Sequence, residues 1–438
     1  LGSLYKEFGL KSSFDLVVVG GGVGGVNTAL TAKRAHPPLS VAVVSHKPLT
    51  YPRPDLAAFL RNPSKFGKIE RYGVGELEAS GIRLFEGCRV TSVNHENRMV
   101  HVENTLTGEK FGLEFSKMVL ATGSLPAVPP VEGCNLPGVF TIKWYEDVLA
   151  ISNYIASGMR ACVVGAGIIG LEVAEALKFR GLKVMVVEAL PFILGGFIEP
   201  DLAEKVAQNL SVHGVNLVKG SPIEGIHGKG KVEYVLVGGE KFEADLVVLA
   251  VGLRPNTSLA SQMGLRLSKI GAIKTDRLMR SSLEEVYAVG DDAETIDYVT
   301  GKAVYRPLGS IAAKAAEIAG LNIAGTREAY DGFIRVQYDK LFGISMGSLG
   351  LTVREAQMLG VSAKAVDVSI GKEGYPSLFL PAKAVMKAVV ERGSDMIIGW
   401  QIVDYAHADA WTYWNSQLFL KAIQERLTLS QLQEVKVN

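Results

Sequence analysis

Cysteine is scarce. Three occur in 438 residues, at positions 88, 134 and 162. Spaced so widely, they form neither a disulfide framework nor a clustered metal site, and they cannot supply the four thiolates of an iron–sulfur cluster. Long apolar runs are missing too. No stretch reaches the roughly 18 residues of a membrane-spanning helix. Neither sign of charge prevails: 46 Lys and Arg face 45 Asp and Glu, which leaves no electrostatic footprint for a nucleic acid or an anionic membrane. The first thirteen residues lack the apolar core of a secretory signal. The expectation is a soluble, cytoplasmic protein with no nucleic-acid, membrane or metal partner.

Glycine, by contrast, is abundant, at 48 residues, and it is placed with a pattern. The stretch 14–19 is apolar except for Asp15 and reads as a buried parallel strand. It runs into Gly20-Gly21-Gly22-Val23-Gly24-Gly25, then a helical stretch over 27–35, then a second strand over 41–44. The order repeats later: strand 161–164, Gly165-Ala166-Gly167-Ile168-Ile169-Gly170, a helix to Arg180, strand 183–187. Strand, G-x-G-x-x-G, helix, strand is the signature of a dinucleotide-binding fold. Gly20 and Gly165 permit the tight turn. Gly22 and Gly167 let backbone approach a pyrophosphate. Gly25 and Gly170 let helix pack on strand, and the helix N-terminus favours the phosphate charge.

An acidic residue at the end of the second strand usually accepts from the ribose hydroxyls. Glu188 fills that place in the later copy. A carboxylate there repels the extra phosphate of NADP, so NADH is favoured. In the earlier copy the place belongs to Ser45, a weaker ribose partner.

With these motifs in hand, the sequence resembles the two-dinucleotide-fold flavoproteins, the pyridine nucleotide–disulfide oxidoreductase family, over nearly its whole length. Three further signatures carry the resemblance. Ala121-Thr122-Gly123 looks like the family's first crossover, Gly252-Leu253-Arg254-Pro255-Asn256 like the second, and Gly290-Asp291 like the second FAD motif. The resemblance implies an α/β protein with two Rossmann-like domains. FAD would be held by 12–124 together with 250–330, with Gly24 in the first loop and Asp291 on the ribityl chain; NAD(H) would be held by 125–249. A C-terminal α+β interface domain, 331–438, would make a homodimer.

The branch is more specific. Disulfide reductases of the family carry a cysteine pair after the first dinucleotide unit, and the coenzyme A disulfide reductase and NADH oxidase branch a single one. Here Pro54 occupies that place. Tyr51-Pro52-Arg53-Pro54-Asp55-Leu56 is instead similar to the rubredoxin and ferredoxin reductases, in which the Arg and Pro lie against the flavin. Ala58 stands where some of those enzymes have a lysine, so Arg53 is expected to take its role beside Glu172, the candidate catalytic pair. The three cysteines read as structural. Thr352 and Glu355 form a capping box at a helix start in the C-terminal segment. In the same segment Trp411 and Trp414 read as interface packing and His407 as a surface or interface residue.

The expected activity is hydride exchange between NAD(H) and FAD, followed by electron transfer to an external acceptor without a redox cysteine. The favoured acceptor is an iron–sulfur protein or partner redox subunit. The alternatives are an NADH oxidase or a reductase of a small acceptor such as a quinone or polysulfide, and a non-catalytic flavoprotein sensor or docking subunit.

Overall fold

The computed structural model describes residues 12–47, 56–64, 73–368, 384–405 and 409–434. The chain forms two compact units. The described part of the first covers 12–47, 73–125 and 253–333; that of the second covers 56–64, 126–252 and the described residues from 334 onward.

The first unit is built on a sheet whose centre is the parallel pair Ser13–Val19 and Lys110–Leu120. Val41–Ser45 and then Arg83–Glu86 extend it in parallel on one side. The strand Lys110–Leu120 changes partners along its length. Its first half pairs antiparallel with Met99–Asn104, and its end pairs parallel with Val286–Ala288. The residues of Ser13–Val19 alternate between two cores: Leu16 and Val18 pack on one face, Val17 and Val19 on the other. This period-two division explains why the strand is apolar nearly throughout. On the first face lies the helix Val23–Ala35, packed against the helix Gly309–Ile323. Gly320 makes that approach feasible, since a Cβ there would stand 2.7 Å from Thr31 Cβ.

The second unit repeats the parallel theme in the order Asn216–Lys219, Lys183–Glu188, Arg160–Val164, Leu246–Leu249 and Val139–Thr141. A three-stranded antiparallel sheet, Ile223–His227, Tyr234–Val237 and Glu240–Glu243, covers part of it. The C-terminal segment belongs to the same unit. It is a five-stranded antiparallel sheet with Ile397–Asp404 at its middle, every residue of which is buried. Glu199 ties this sheet to the parallel one: Gln401 Nε2 and Val353 N donate to its Oε1 at 3.1 and 2.9 Å. The capping box stands as read, with Glu355 N donating to Thr352 Oγ1 at 3.1 Å and Thr352 N to Glu355 Oε2 at 3.0 Å. Trp411 and Trp414 fall on the helix Asp409–Gln424. His407 lies outside the described residues, as do Arg53 and Pro54. Among the described residues no helix is long and apolar enough to cross a membrane.

One buried ion pair anchors the first unit. Arg306 Nη1 donates to Asp297 Oδ2 at 2.7 Å, and Thr300 N and Oγ1 donate to Oδ1 of the same carboxylate at 2.9 and 2.8 Å. Removing one member of a buried, hydrogen-bonded ion pair costs about 3–5 kcal/mol. Asp297→Ala should therefore lower the urea midpoint of the first unit's unfolding, well beyond any effect of the exposed pair Arg34–Glu76. Equal midpoints for Asp297→Ala and Glu76→Ala would refute the assignment.

Candidate functional site

In the first glycine loop each glycine has a distinct neighbour. Gly20 has φ +122°, a conformation that L side chains rarely adopt, and a Cβ there would collide with the Ala121 carbonyl. A Cβ on Gly25 would collide with the Gly20 carbonyl. A Cβ on Gly24 would meet Val289 Cγ2 at 3.2 Å, which presses the loop against the strand leading into Gly290 and Asp291. Gly22 differs: nothing lies within 4 Å of the place its Cβ would take. It caps the 13-residue helix Val23–Ala35 without a side-chain hydrogen bond, and no acidic residue occupies the first turn. The loop therefore offers bare backbone and the positive end of a helix dipole, a fit for a pyrophosphate.

The second loop has the same layout. Cβ atoms on Gly165 and Gly170 would strike the carbonyls of Ala250 and Gly165, while Gly167 faces open space. Gly167 caps the 12-residue helix Ile168–Phe179, again without a side-chain cap or a first-turn acid. Glu188, at the end of its strand, accepts from Ala166 N at 2.8 Å with Oε2 and from Leu190 N at 2.9 Å with Oε1. The carboxylate is thus pinned beside the loop by two backbone donors, with lone pairs left to accept from a further donor. In the first unit the corresponding Ser45 is buried, and its hydroxyl donates to the Lys47 carbonyl at 2.7 Å.

The other first-unit candidates converge. Ser124 Oγ donates to Asp291 Oδ2 at 2.7 Å, and the Tyr305 hydroxyl donates to the Asp291 carbonyl at 3.0 Å. Thr122 N donates to Asp292 Oδ2 at 2.6 Å, and Thr122 Oγ1 lies 2.7 Å from the same oxygen and 2.6 Å from the Asn256 carbonyl. Asn256 N donates to the Gly123 carbonyl at 2.9 Å. The 121–123 turn, the 253–256 segment and the 290–292 turn are thereby one hydrogen-bonded cluster. Asp292 was absent from the sequence-based candidates. Its signal was the Asp-Asp doublet that follows Val289 and Gly290, just past the apolar strand Val286–Ala288, where a second buried carboxylate demands partners.

Arg53, the expected partner of Glu172, is outside the described residues; among the described residues the charged groups acting on Glu172 are carboxylates. Burial first, then the negative charges of Asp339 and Glu175, push the Glu172 carboxyl up to about 8. Glu175 accepts from Phe342 N at 2.8 Å, and burial pushes Asp339 up to about 6. The helix Ile168–Phe179 carries Glu172 and Glu175, one turn apart, and the strand Val336–Leu341 brings Asp339 to them. Spacing along the helix hinted at the first pair; the third member comes from more than 160 residues on, beyond the reach of sequence pattern.

Two of the three thiols are held protonated by their environment. Burial pushes Cys162 up to about 12, and burial followed by Glu109 raises Cys88. The half-buried Cys134 has its Sγ 3.4 Å from the Pro129 carbonyl. Burial, and for Cys88 the negative Glu109, is the opposite of the electropositive setting that activates a thiolate.

Two dinucleotide-binding folds in one chain define a redox protein that brings two nucleotides into play. Residues 14–306 match the family described as pyridine nucleotide-disulphide oxidoreductase. The chain is 34% identical over 361 residues to an NADH oxidase of Methanocaldococcus jannaschii, covering 81% of this chain and 79% of that protein. It is 31% identical over 398 residues to a CoA-dependent NAD(P)H sulfur oxidoreductase of Pyrococcus furiosus, covering 89% and 87%. A solved NAD-dependent persulfide reductase from A. fulgidus superposes with a TM-score of 0.86 at 29% identity, covering 97% of this chain and 79% of that one. The chain belongs to the pyridine nucleotide-disulphide oxidoreductase family and is an FAD-dependent oxidoreductase that uses NAD(H).

The Glu172 environment has a measurable signature. A carboxyl whose folded pKa lies near 8, against an unfolded value near 4.3, makes the folded state hold a proton that the unfolded state has lost between those limits. Stability falls as pH rises through that window. Glu172→Gln should remove this contribution, so its Tm relative to wild type should rise from about pH 5 to about pH 8.5. A pH-independent difference would show that Glu172 titrates normally.

Proposed function

We propose that this chain is an NADH:acceptor oxidoreductase in which electrons leave the flavin directly, with no protein thiol between flavin and acceptor. The observation that carries this reading is the state of the cysteines: two buried with raised pKa values, the third beside a backbone carbonyl. Pro54 standing at the family's redox-cysteine place agrees with it.

The first unit is assigned to FAD. Gly22 offers unobstructed backbone to the pyrophosphate, Gly20 and Gly25 shape the turn, and Gly24 packs the loop on Val289. Asp291, oriented by Ser124, is assigned to the ribityl hydroxyls. The second unit is assigned to NADH, with Gly167 at the pyrophosphate and Glu188 at the adenosine ribose. Bound FAD supplies the two-electron centre between a hydride donor and the acceptor. Glu172 remains in part protonated near neutral pH and so places less negative charge in the site than its sequence alone implies. The C-terminal segment is assigned to homodimer formation.

For the acceptor, a thiol-free site and the Arg53-Pro54 pattern favour an iron–sulfur electron carrier. A second reading, a small acceptor, is favoured by the names of the relatives, an NADH oxidase and a sulfur oxidoreductase. Stopped-flow reoxidation of NADH-reduced enzyme separates them. Faster reoxidation by a rubredoxin or ferredoxin than by polysulfide, quinone or oxygen supports the first; the reverse order overturns it.

Two variants test the shared core. A Cys88→Ser, Cys134→Ser, Cys162→Ser triple variant should keep most of its NADH-driven dye reduction, with a modest stability loss at Cys162 from placing a hydroxyl in a core. Loss of turnover with FAD still bound would overturn the thiol-free reading. Glu188→Ala should narrow the preference for NADH over NADPH by roughly 30- to 150-fold, the effect of about 2–3 kcal/mol of repulsion between carboxylate and phosphate. Equal specificity constants for the two cofactors in the wild type would remove Glu188 from its role.

A further inference from the structure

The hydrogen inventory around Thr122 does not balance with an ionised Asp292. Thr122 Oγ1 lies 2.6 Å from the Asn256 carbonyl oxygen and 2.7 Å from Asp292 Oδ2. Both separations are hydrogen-bond distances, and each needs a hydrogen between the oxygens. Threonine has one hydroxyl hydrogen. The Asn256 carbonyl can only accept, so that hydrogen goes there. The remaining hydrogen has to come from Asp292 Oδ2. A second feature agrees. Asp292 is fully buried, and its other oxygen, Oδ1, has no hydrogen-bond partner. An ionised carboxylate would leave about half its charge on that oxygen, and among the described residues the one donor besides Thr122 that favours the anion is the backbone N–H of Asp292 itself. A neutral acid leaves only a carbonyl there, which is far less costly.

We infer that Asp292 is held as a neutral carboxylic acid and acts as a positioning residue, closing the relay Asp292 Oδ2–H to Thr122 Oγ1–H to the Asn256 carbonyl. The same Oδ2 accepts from Thr122 N at 2.6 Å. One atom must therefore both donate and accept. An acid O–H does so; neither the oxygen nor the nitrogen of an asparagine amide can.

The relay sits where it has consequences. The chain leaves the first unit after Leu125 and re-enters it at Leu253, so Thr122 and Asn256 each stand a few residues inside a crossing. The relay fastens the start of one crossing to the end of the other, next to Asp291. The titratable groups facing it are Asp291, whose negative charge opposes ionisation of its neighbour, and Tyr305, whose hydroxyl holds the Asp291 carbonyl. Burial is the larger influence, and with Asp291 it outweighs the Thr122 hydrogen bonds that favour the anion, pushing Asp292 up to about 7. When Asp292 ionises, the threonine hydroxyl must turn to it, and the Asn256 carbonyl loses its donor.

Infrared titration of the holoprotein tests this without reference to turnover. Wild type at about pH 5.5 should show a protonated-carboxyl C=O stretch that is lost in Asp292→Asn and disappears as pH rises past neutrality. Thr122→Val, which removes the acceptor, should shift that band, while Thr122→Ser should restore it. The Glu172 band, present in all four proteins, identifies a global change of fold. The stability gap between wild type and Asp292→Asn should be widest near pH 5 and shrink to about pH 8, because the folded state holds the Asp292 proton over that window and the unfolded state does not. A band indifferent to both Asp292→Asn and Thr122→Val, or a pH-independent stability gap, overturns the inference. Should Asp292→Asn fail to fold, the Thr122 pair decides: identical bands in Thr122→Val and Thr122→Ser overturn it.

Discussion

The arrangement rests on a contact between a glycine Cα and a backbone carbonyl, made twice. Gly25 lies against the Gly20 carbonyl, and Gly170 against the Gly165 carbonyl. A single added carbon at either place would push the helix away from the strand it follows. The strand end, the loop and the helix start would then separate, and with them the uncapped N–H groups that face an anion. The crossover turn at Ala121 and Val289, which leads into Gly290 and Asp291, both pack on the first of these loops. Gly20 abuts Ala121, the first residue of the crossover turn, and Gly165 abuts Ala250 in the second. The close contacts therefore fix both glycine loops against the turns that follow Leu120 and Leu249.

Two carboxylates near the second loop meet different surroundings. Glu188 receives two backbone N–H donors, which leave it aimed at the loop. Glu172, facing Asp339 and Glu175, instead retains its proton to higher pH. The difference is set by what the surrounding backbone supplies. A strand end beside a turn has free N–H groups. The middle of a helix has none, since its N–H groups are spent on the preceding turn. Charge in the site is thus distributed by secondary structure as much as by residue type. Cys88 and Cys162 follow the same logic, for a thiol in a sheet core has neither donors nor cations to stabilise its thiolate.

Much was legible in the chain. Strand and helix positions around both loops came within a few residues of the reading, because apolar runs ending in G-x-G-x-x-G admit few alternatives. The first helix begins at Val23, inside the glycine run, four residues before the expected start at 27. The capping box at Thr352 was legible because its partners are three residues apart, and the burial of Cys162 because its neighbours in sequence are apolar. The company of Glu172 was not. Pattern along a helix brings in Glu175, whereas Asp339 arrives from a strand of the C-terminal sheet.

What the sequence determined by itself is whatever depends on neighbours in the chain: two glycine turns, the strands that feed them, an acid at one strand end, and a scarcity of thiols. These carry the fold class and the cofactor type, since each is a local backbone requirement met by local residues. What only the tertiary structure decided is the protonation of the buried acids. Asp292 is one letter in an Asp-Asp doublet until Thr122, 170 residues earlier, and Asn256 are brought to it. Whether a carboxyl keeps its proton is set by desolvation and by the donors that surround it in space, and chain separation carries no information about either.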